Sequence, residues 1–165
     1  MKTTEATFKV VLLRMLQELE TLEKACKKAF LKIRKLADAP EFAKALHEDQ
    51  TGIIDHMGRL KLIQTEMARK TVKPTKTDRN DLHLSEDKKI GPEKDLWLIA
   101  SAQQIIQQKI ALYKLVHRIA SQQQLVHSPV LVEQTIKENE ATSTWLDRIA
   151  QRILNGESIV PQEHL

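Results

Sequence analysis

The chain has 165 residues, a formal net charge of +4 and a pI of about 9.2. Hydrophobic residues make up 41% and charged residues 29%, as in ordinary globular domains, and no run approaches the roughly 18 apolar residues of a membrane span. Four glycines and 4% aromatic residues disfavour a β-rich fold, and a single cysteine excludes an internal disulfide framework.

We expect a single all-α domain over residues 1–165. The first predicted helix spans about residues 4–37, where apolar residues recur at alternating spacings of four and three, the pattern of a helix packed lengthwise against others. Thr4 is a suitable N-cap for this helix. Pro40 is suited to the first turn of the second predicted helix, which continues to about residue 69.

Residues 70–92 lose helical periodicity and are predicted to form an exposed crossover, with a short helical turn at residues 81–87. The third and fourth helices are predicted over about residues 93–123 and 129–155, followed by a tail over residues 156–165. One long and two short connections between four helices predict a ferritin-like four-helix bundle, in which two antiparallel helical hairpins are joined by the long crossover.

Several polar residues fall on or beside the apolar faces of these helices, each near the middle of its helix. A charge buried among apolar side chains is expensive unless it is paired or bound to a metal, so we expect these residues to meet. The predicted core polar cluster consists of Glu23, Thr51, Lys109, Asn139 and Thr142.

We hypothesise that Glu23 pairs with Lys109 across the core, with Asn139 and Thr142 supplying hydrogen bonds. In the alternative, Glu23 turns outward to Lys27, a surface pair worth about 0.3 kcal/mol, while the ammonium of Lys109 reaches solvent. The sequence does not decide between the two arrangements.

Four stretches carry a family resemblance: LETLEKACKKAF, PEFAKALHEDQTGIIDHMGRL, DLWLIASAQQIIQQKIALYKLVHRIA and TIKENEATSTWLDRIA. In order and spacing they resemble the four helices of the YciE/YciF-like proteins, a bacterial family of unknown function in the ferritin-like superfamily. The resemblance covers residues 10–155. It implies the ferritin-like fold and an association with stress responses.

The resemblance also implies a di-metal site that this chain has lost. Glu23 is the retained ligand position, and Glu138 is expected to turn outward. No Glu-x-x-His motif occurs anywhere in the sequence, although bundle di-metal sites use that spacing to aim two ligands at one ion. The positions at which ligands are replaced are Thr51, Ile54, Ile106, Lys109 and Asn139.

We therefore expect a non-catalytic binding or structural protein without a metal or another cofactor. The N-terminus, MKTTEATFK, has no basic segment followed by an apolar core, which favours a cytoplasmic protein. We further expect a homodimer that binds a protein partner of unknown identity and has no membrane partner.

Two alternatives stay open. The first is a di-metal carboxylate protein, an iron or manganese oxidoreductase or an iron-handling protein, using a displaced site. Its candidate ligands are Glu20, Glu23, Asp49, Asp55, His47 and His56. The second is a basic surface for nucleic acid or an acidic protein, formed by Lys24, Lys28 and Lys35; nucleic acid is disfavoured because the chain has no aromatic stacking platform or recognised motif.

Overall fold

The computed structural model of the chain describes residues 2–68 and 91–157, and these residues form helices without any strand. No helix in these two ranges is both long and apolar enough to cross a membrane. The helices, in chain order, are α1 (Lys2–Leu36), α2 (Pro40–Ala45), α3 (Glu48–Thr51), α4 (Ile53–Ala68), α5 (Pro92–Gln122) and α6 (Ser128–Leu154).

Helices α1, α5 and α6 begin and end within two residues of their predicted bounds. Proline stands at the start of both α5 and α6, where its missing N–H and fixed φ suit the first helical turn. The predicted helical turn at residues 81–87, most of the crossover and most of the C-terminal tail lie outside the described residues.

The prediction of one continuous helix over residues 40–69 is wrong, because this segment is interrupted twice. The backbone is extended at His47. The Nδ1 atom of the His47 side chain accepts a hydrogen bond from the backbone N–H of Asp49 and so caps the start of a new helix, α3. Gly52 then ends α3 in the left-handed conformation, with φ of 74°, and α4 begins at Ile53. A side-chain cap and a glycine stop therefore outweigh the helical periodicity.

The four longest helices, α1, α4, α5 and α6, surround the core in a ring, since α1 and α6 each contact both α4 and α5. The N-terminal half of α1 packs against the C-terminal halves of α4 and α5 and the start of α6. The C-terminal half of α1 packs against the start of α5 and the end of α6. Helices α1 and α6 therefore run in one direction, and α4 and α5 run in the opposite direction.

Two carboxylates fasten the ends of this ring. Asp95 of α5 accepts hydrogen bonds from the backbone N–H groups of Asp38 at 3.0 Å and Ala39 at 2.8 Å, which holds the connection after α1. Glu66 of α4 accepts a hydrogen bond at 3.0 Å from the backbone N–H of Ser128, at the start of α6. Each carboxylate thus caps backbone donors of another element.

The break at Gly52 gives a prediction with a matched control. Gly52→Ala should lower the free energy of unfolding by about 1–2 kcal/mol, the cost of a left-handed Cβ-bearing residue. The new Cβ would also lie 2.8 Å from Glu138 Oε1. Gly58→Ala lies within α4 with nothing within 4 Å of the new Cβ, and should stabilise by about 0.5–1 kcal/mol. Urea unfolding midpoints measure both changes; a fall that is equal in the two variants would contradict this account.

Candidate functional site

The core contains an ion pair between Glu23 of α1 and Lys109 of α5. Lys109 Nζ lies 2.7 Å from Glu23 Oε1, and the two side chains are 1% and 0% exposed. The contact has the distance of an ion pair without the alignment of a hydrogen bond. Lys27, the alternative partner of Glu23, instead lies 3.7 Å from Glu48.

A histidine and a second ion pair extend this contact towards the surface. The buried ring of His56 lies between two carboxylates, with Nδ1 at 3.4 Å from Glu23 Oε2 and Nε2 at 3.2 Å from Glu138 Oε1. Arg59 donates two hydrogen bonds to Glu138, at 3.0 and 2.9 Å. We call Glu23, His56, Arg59, Lys109 and Glu138 the charged network.

The local sequence explains how α4 contributes two members of the charged network. His56 and Arg59 are three residues apart, so they lie on neighbouring positions of one helix face. Gly52 lies beside His56, and a Cβ at Gly52 would approach His56 Nε2 to 3.3 Å. The missing side chain at Gly52 leaves room for the carboxylate of Glu138 to reach His56.

Opposing effects act on the pKa values of the buried pair. Burial raises the pKa of Glu23, but attraction to the Lys109 ammonium and the contact with His56 outweigh it, so the pKa of Glu23 lies below its usual value. Burial lowers the pKa of Lys109, but the contact with the Cys26 sulfur and the attraction to the Glu23 carboxylate outweigh this effect, so the pKa of Lys109 is raised. Both groups are therefore charged at neutral pH.

Outside the core the balance is similar at Glu138. Partial burial raises the pKa of Glu138. The hydrogen bonds from Arg59 and the attraction to its guanidinium lower this pKa by more than burial raises it, so the pKa of Glu138 lies below its usual value. The sequence-based expectation that Glu138 turns outward is wrong in this respect. Its side chain is 32% exposed, and its carboxylate turns back to His56 and Arg59.

Two further side chains line the buried pair. Cys26 Sγ lies 3.9 Å from Lys109 Nζ, and burial raises the pKa of this thiol to about 12. A thiol with that pKa carries almost no thiolate at neutral pH and is a poor nucleophile. Burial, followed by repulsion from Glu23, raises the pKa of the Tyr113 hydroxyl as well.

The remaining members of the predicted polar cluster are buried but do not join the pair. Asn139 Nδ2 donates to the carbonyl of Thr135, and Thr142 Oγ1 donates to the carbonyl of Glu138, both within α6. Thr51 Oγ1 accepts from the backbone N–H of Ile53 at 3.4 Å. The expectation that Asn139 and Thr142 supply hydrogen bonds to the pair is therefore wrong.

The assignment of a core-facing ligand position to Ile54 is also wrong, because its side chain is 50% exposed. Thr51 and Ile54, the two replaced positions on this segment, are three residues apart. Two other residues three apart, Ile53 and His56, face the core and are 2% and 1% exposed. The assignment came from the family resemblance; at 100° per residue, the helical period counted from Phe42 places Ile53 and His56 inward and Ile54 outward. Ile106, another replaced position, lies in the core as expected.

The displaced metal site is not assembled in the described part of the chain. Glu23 and His56 come together, whereas Glu20 is bonded to Gln64 at 2.9 Å on the bundle side facing α4. Asp49 and His47 pair with each other near the surface at 3.4 Å, and Asp55 is exposed. The predicted basic residues Lys24, Lys28 and Lys35 are exposed on α1 and are not members of the charged network.

The residues present do not fit a di-metal centre. Glu23 and His56 are suitable ligand types, but the Lys109 ammonium lies 2.7 Å from the Glu23 carboxylate, where a metal cation would meet repulsion. Arg59 already binds Glu138 through both of its oxygens. Among residues 2–68 and 91–157, no group of three or more His, Cys, Asp or Glu side chains is arranged to hold a metal ion.

Sequence reasoning placed Glu23 and Lys109 on facing helices but missed the role of His56. A signal for it exists: Ile53, His56, Leu60, Ile63 and Met67 are spaced alternately by three and four, and all five are buried. Starting the pattern at Ile53, after the glycine, would have placed His56 on the core-facing side of α4.

The buried pair predicts a large effect of removing one charge. Lys109→Met should lower the free energy of unfolding by about 3–5 kcal/mol, because it leaves the buried Glu23 carboxylate without its cation. The double variant Glu23→Gln/Lys109→Met should be less destabilised than the sum of the two single variants, as a double-mutant cycle by urea unfolding measures. The exposed Lys114→Met is the control; an equally small change at both lysines would refute a buried pair.

The direction of the Glu23 shift predicts how acid affects stability. A carboxyl group whose pKa is lowered by folding stabilises the protein above its unfolded-state pKa, and this contribution is lost as the pH falls through the folded-state pKa. The wild-type protein should therefore lose more stability on acidification than Glu23→Gln/Lys109→Met. Melting temperatures measured from neutral to acidic pH test this; parallel curves would contradict it.

Comparisons with known proteins agree with this architecture. The structure is similar to the crystal structure of the E. coli stress protein YciF, with a TM-score of 0.79 over 91% of this chain and 98% of that one, at 18% sequence identity. No curated protein matches the sequence. Residues 7–158 match the family described as "Domain of unknown function (DUF892)", and the chain therefore belongs to this YciE/YciF-like family of unknown function.

Proposed function

We propose that this protein is a non-catalytic ferritin-like four-helix bundle in which an internal ion pair replaces a di-metal site. The ring of α1, α4, α6 and α5, with α1 and α6 running opposite to α4 and α5, supports the bundle arrangement. Helices α4 and α5 are parallel to each other, as are the second and third helices of ferritin-like bundles, in which a long crossover joins two antiparallel hairpins.

One contact carries the proposal: the 2.7 Å approach of Lys109 Nζ to Glu23 Oε1. A metal ion in a bundle core compensates the charge of its carboxylate ligands. Here an ammonium group attached to α5 supplies the compensating charge, so the carboxylate is neutralised without any ion from solution. His56 and the pair of Glu138 with Arg59 complete the balance on the other side.

We infer a binding or structural role for such a bundle. The thiol of Cys26, which lies beside the buried ion pair, is itself buried, and its pKa is raised to about 12. Such a thiol does not favour nucleophilic catalysis. The name of the structurally similar E. coli stress protein suggests a stress-associated role for this chain too. A cytoplasmic homodimer with a protein partner is the setting that we propose for it.

The second candidate is a di-metal carboxylate protein handling iron or manganese. The proximity of His56 Nδ1 to Glu23 Oε2, at 3.4 Å, favours it, since imidazole and carboxylate are both ligands for these metals. It requires Lys109 to release Glu23. Metal binding would then compete directly with the ion pair.

Elemental analysis separates the two candidates. After incubation with Fe(II), Mn(II) or Zn(II) and gel filtration, the wild-type protein should retain no stoichiometric metal, and its melting temperature should not rise, because Lys109 holds the Glu23 carboxylate. Lys109→Glu should bind more metal than wild type, since it exchanges a repelling cation for a carboxylate ligand. Lys114→Glu, at an exposed position, is the control for nonspecific uptake. Stoichiometric metal in the wild type that is lost in Glu23→Ala would overturn the proposal.

A further inference from the structure

The outer face of the second half of α1 has an unusual charge. Residues 24–36 include six lysine or arginine residues and no acidic residue. The exposed positions in this range follow one another at helical spacing along one side of α1. They are Lys24, Lys28, Leu31, Lys32, Lys35 and Leu36, which we call the basic strip.

Part of this positive charge, that of Lys28 and Lys35, is not balanced by neighbouring carboxylates, whereas Lys24 and Lys32 each have an interaction partner. Lys24 lies 3.3 Å from Glu20 on its own helix. Within the described ranges, no ion pair joins Lys28 or Lys35 to an acidic side chain. The basic strip therefore presents net positive charge to solvent.

Large apolar side chains accompany these lysines. Leu31 is 47% exposed, Leu36 is 41% exposed, and Trp97 at the start of α5 is 52% exposed. Lys94 Nζ lies 3.2 Å from Asp38 Oδ1, just after the end of α1, and Trp97 is three residues from Lys94 on the same side of α5. Trp97 is thereby held at the same end of the molecule as Leu36.

We propose that the basic strip, together with Trp97, binds the surface of a lipid bilayer that contains anionic lipids. Lysines attract anionic headgroups, while leucine and tryptophan enter the boundary between headgroups and acyl chains. Binding to nucleic acid through phosphate charge requires lysines or arginines only, and exposed leucines between the lysines would not contribute to it. The proposal replaces the sequence-based expectation of no membrane partner with a peripheral contact, and it does not depend on the function proposed for the core.

Cosedimentation of the full chain with vesicles tests the proposal. The wild-type protein should bind vesicles of phosphatidylcholine mixed with phosphatidylglycerol and not vesicles of phosphatidylcholine alone, and binding should weaken as salt is added. Lys28→Glu/Lys35→Glu should reduce the partition coefficient at least about tenfold, the effect of losing favourable charge and adding repulsion near the surface. Lys114→Glu/Lys137→Glu changes the net charge equally at exposed sites on α5 and α6 and should bind like the wild type.

The apolar part of the surface has its own variant. Leu31→Ser/Trp97→Ser leaves the net charge unchanged and should weaken binding to the anionic vesicles while its melting curve, recorded by circular dichroism, shows that the fold persists. If Lys28→Glu/Lys35→Glu and Lys114→Glu/Lys137→Glu lose vesicle binding equally, binding depends on net charge alone, and the proposal is overturned. So would no binding by the wild type, or no effect of Leu31→Ser/Trp97→Ser combined with tighter binding to double-stranded DNA.

Discussion

The buried ion pair between Glu23 and Lys109 is the constraint on which the rest of the core depends. Transferring either ion alone from water into the protein interior costs several kcal/mol, so each requires the other at contact distance. That requirement fixes how α1 and α5 are rotated about their axes. His56 and Glu138 pass the constraint on to α4 and α6, so all four helices of the ring contribute to one connected set of charges.

The break in the second predicted helix belongs to the same arrangement. Gly52 ends α3 in the left-handed conformation, and in α4, which follows it, His56 faces the core and Ile54 faces solvent. It also leaves the space that the Glu138 carboxylate occupies beside His56. A residue with a side chain at this position would compete with the contact that joins α4 to α6.

Lysine residues serve two different ends in this protein. Lys109 is fully buried and neutralises a carboxylate in the core, whereas the lysines of the basic strip lie on the outside of α1 beside exposed leucines. The ammonium group of Lys109 supplies the countercharge of Glu23 within the core. Membership of the DUF892 family and the likeness to E. coli YciF describe the helical scaffold, and the chemistry of this chain lies in how its own charged residues are placed on that scaffold.

The sequence by itself determined the helical class and the bounds of α1, α5 and α6, because helical periodicity and proline starts are local properties. It placed Glu23 and Lys109 on or beside apolar helix faces without deciding whether the two side chains pair. Only the tertiary structure decided which polar residues meet. His56 and Glu138 are 82 residues apart in the chain, and their contact depends on how α4 and α6 are rotated. The inward assignment of Ile54 came from the family resemblance, whereas helical periodicity places Ile53 inward, as the structure does. Asn139 and Thr142 donate hydrogen bonds to backbone carbonyls of α6 and not to the ion pair. Which acceptor each side chain reaches depends on distances across the core.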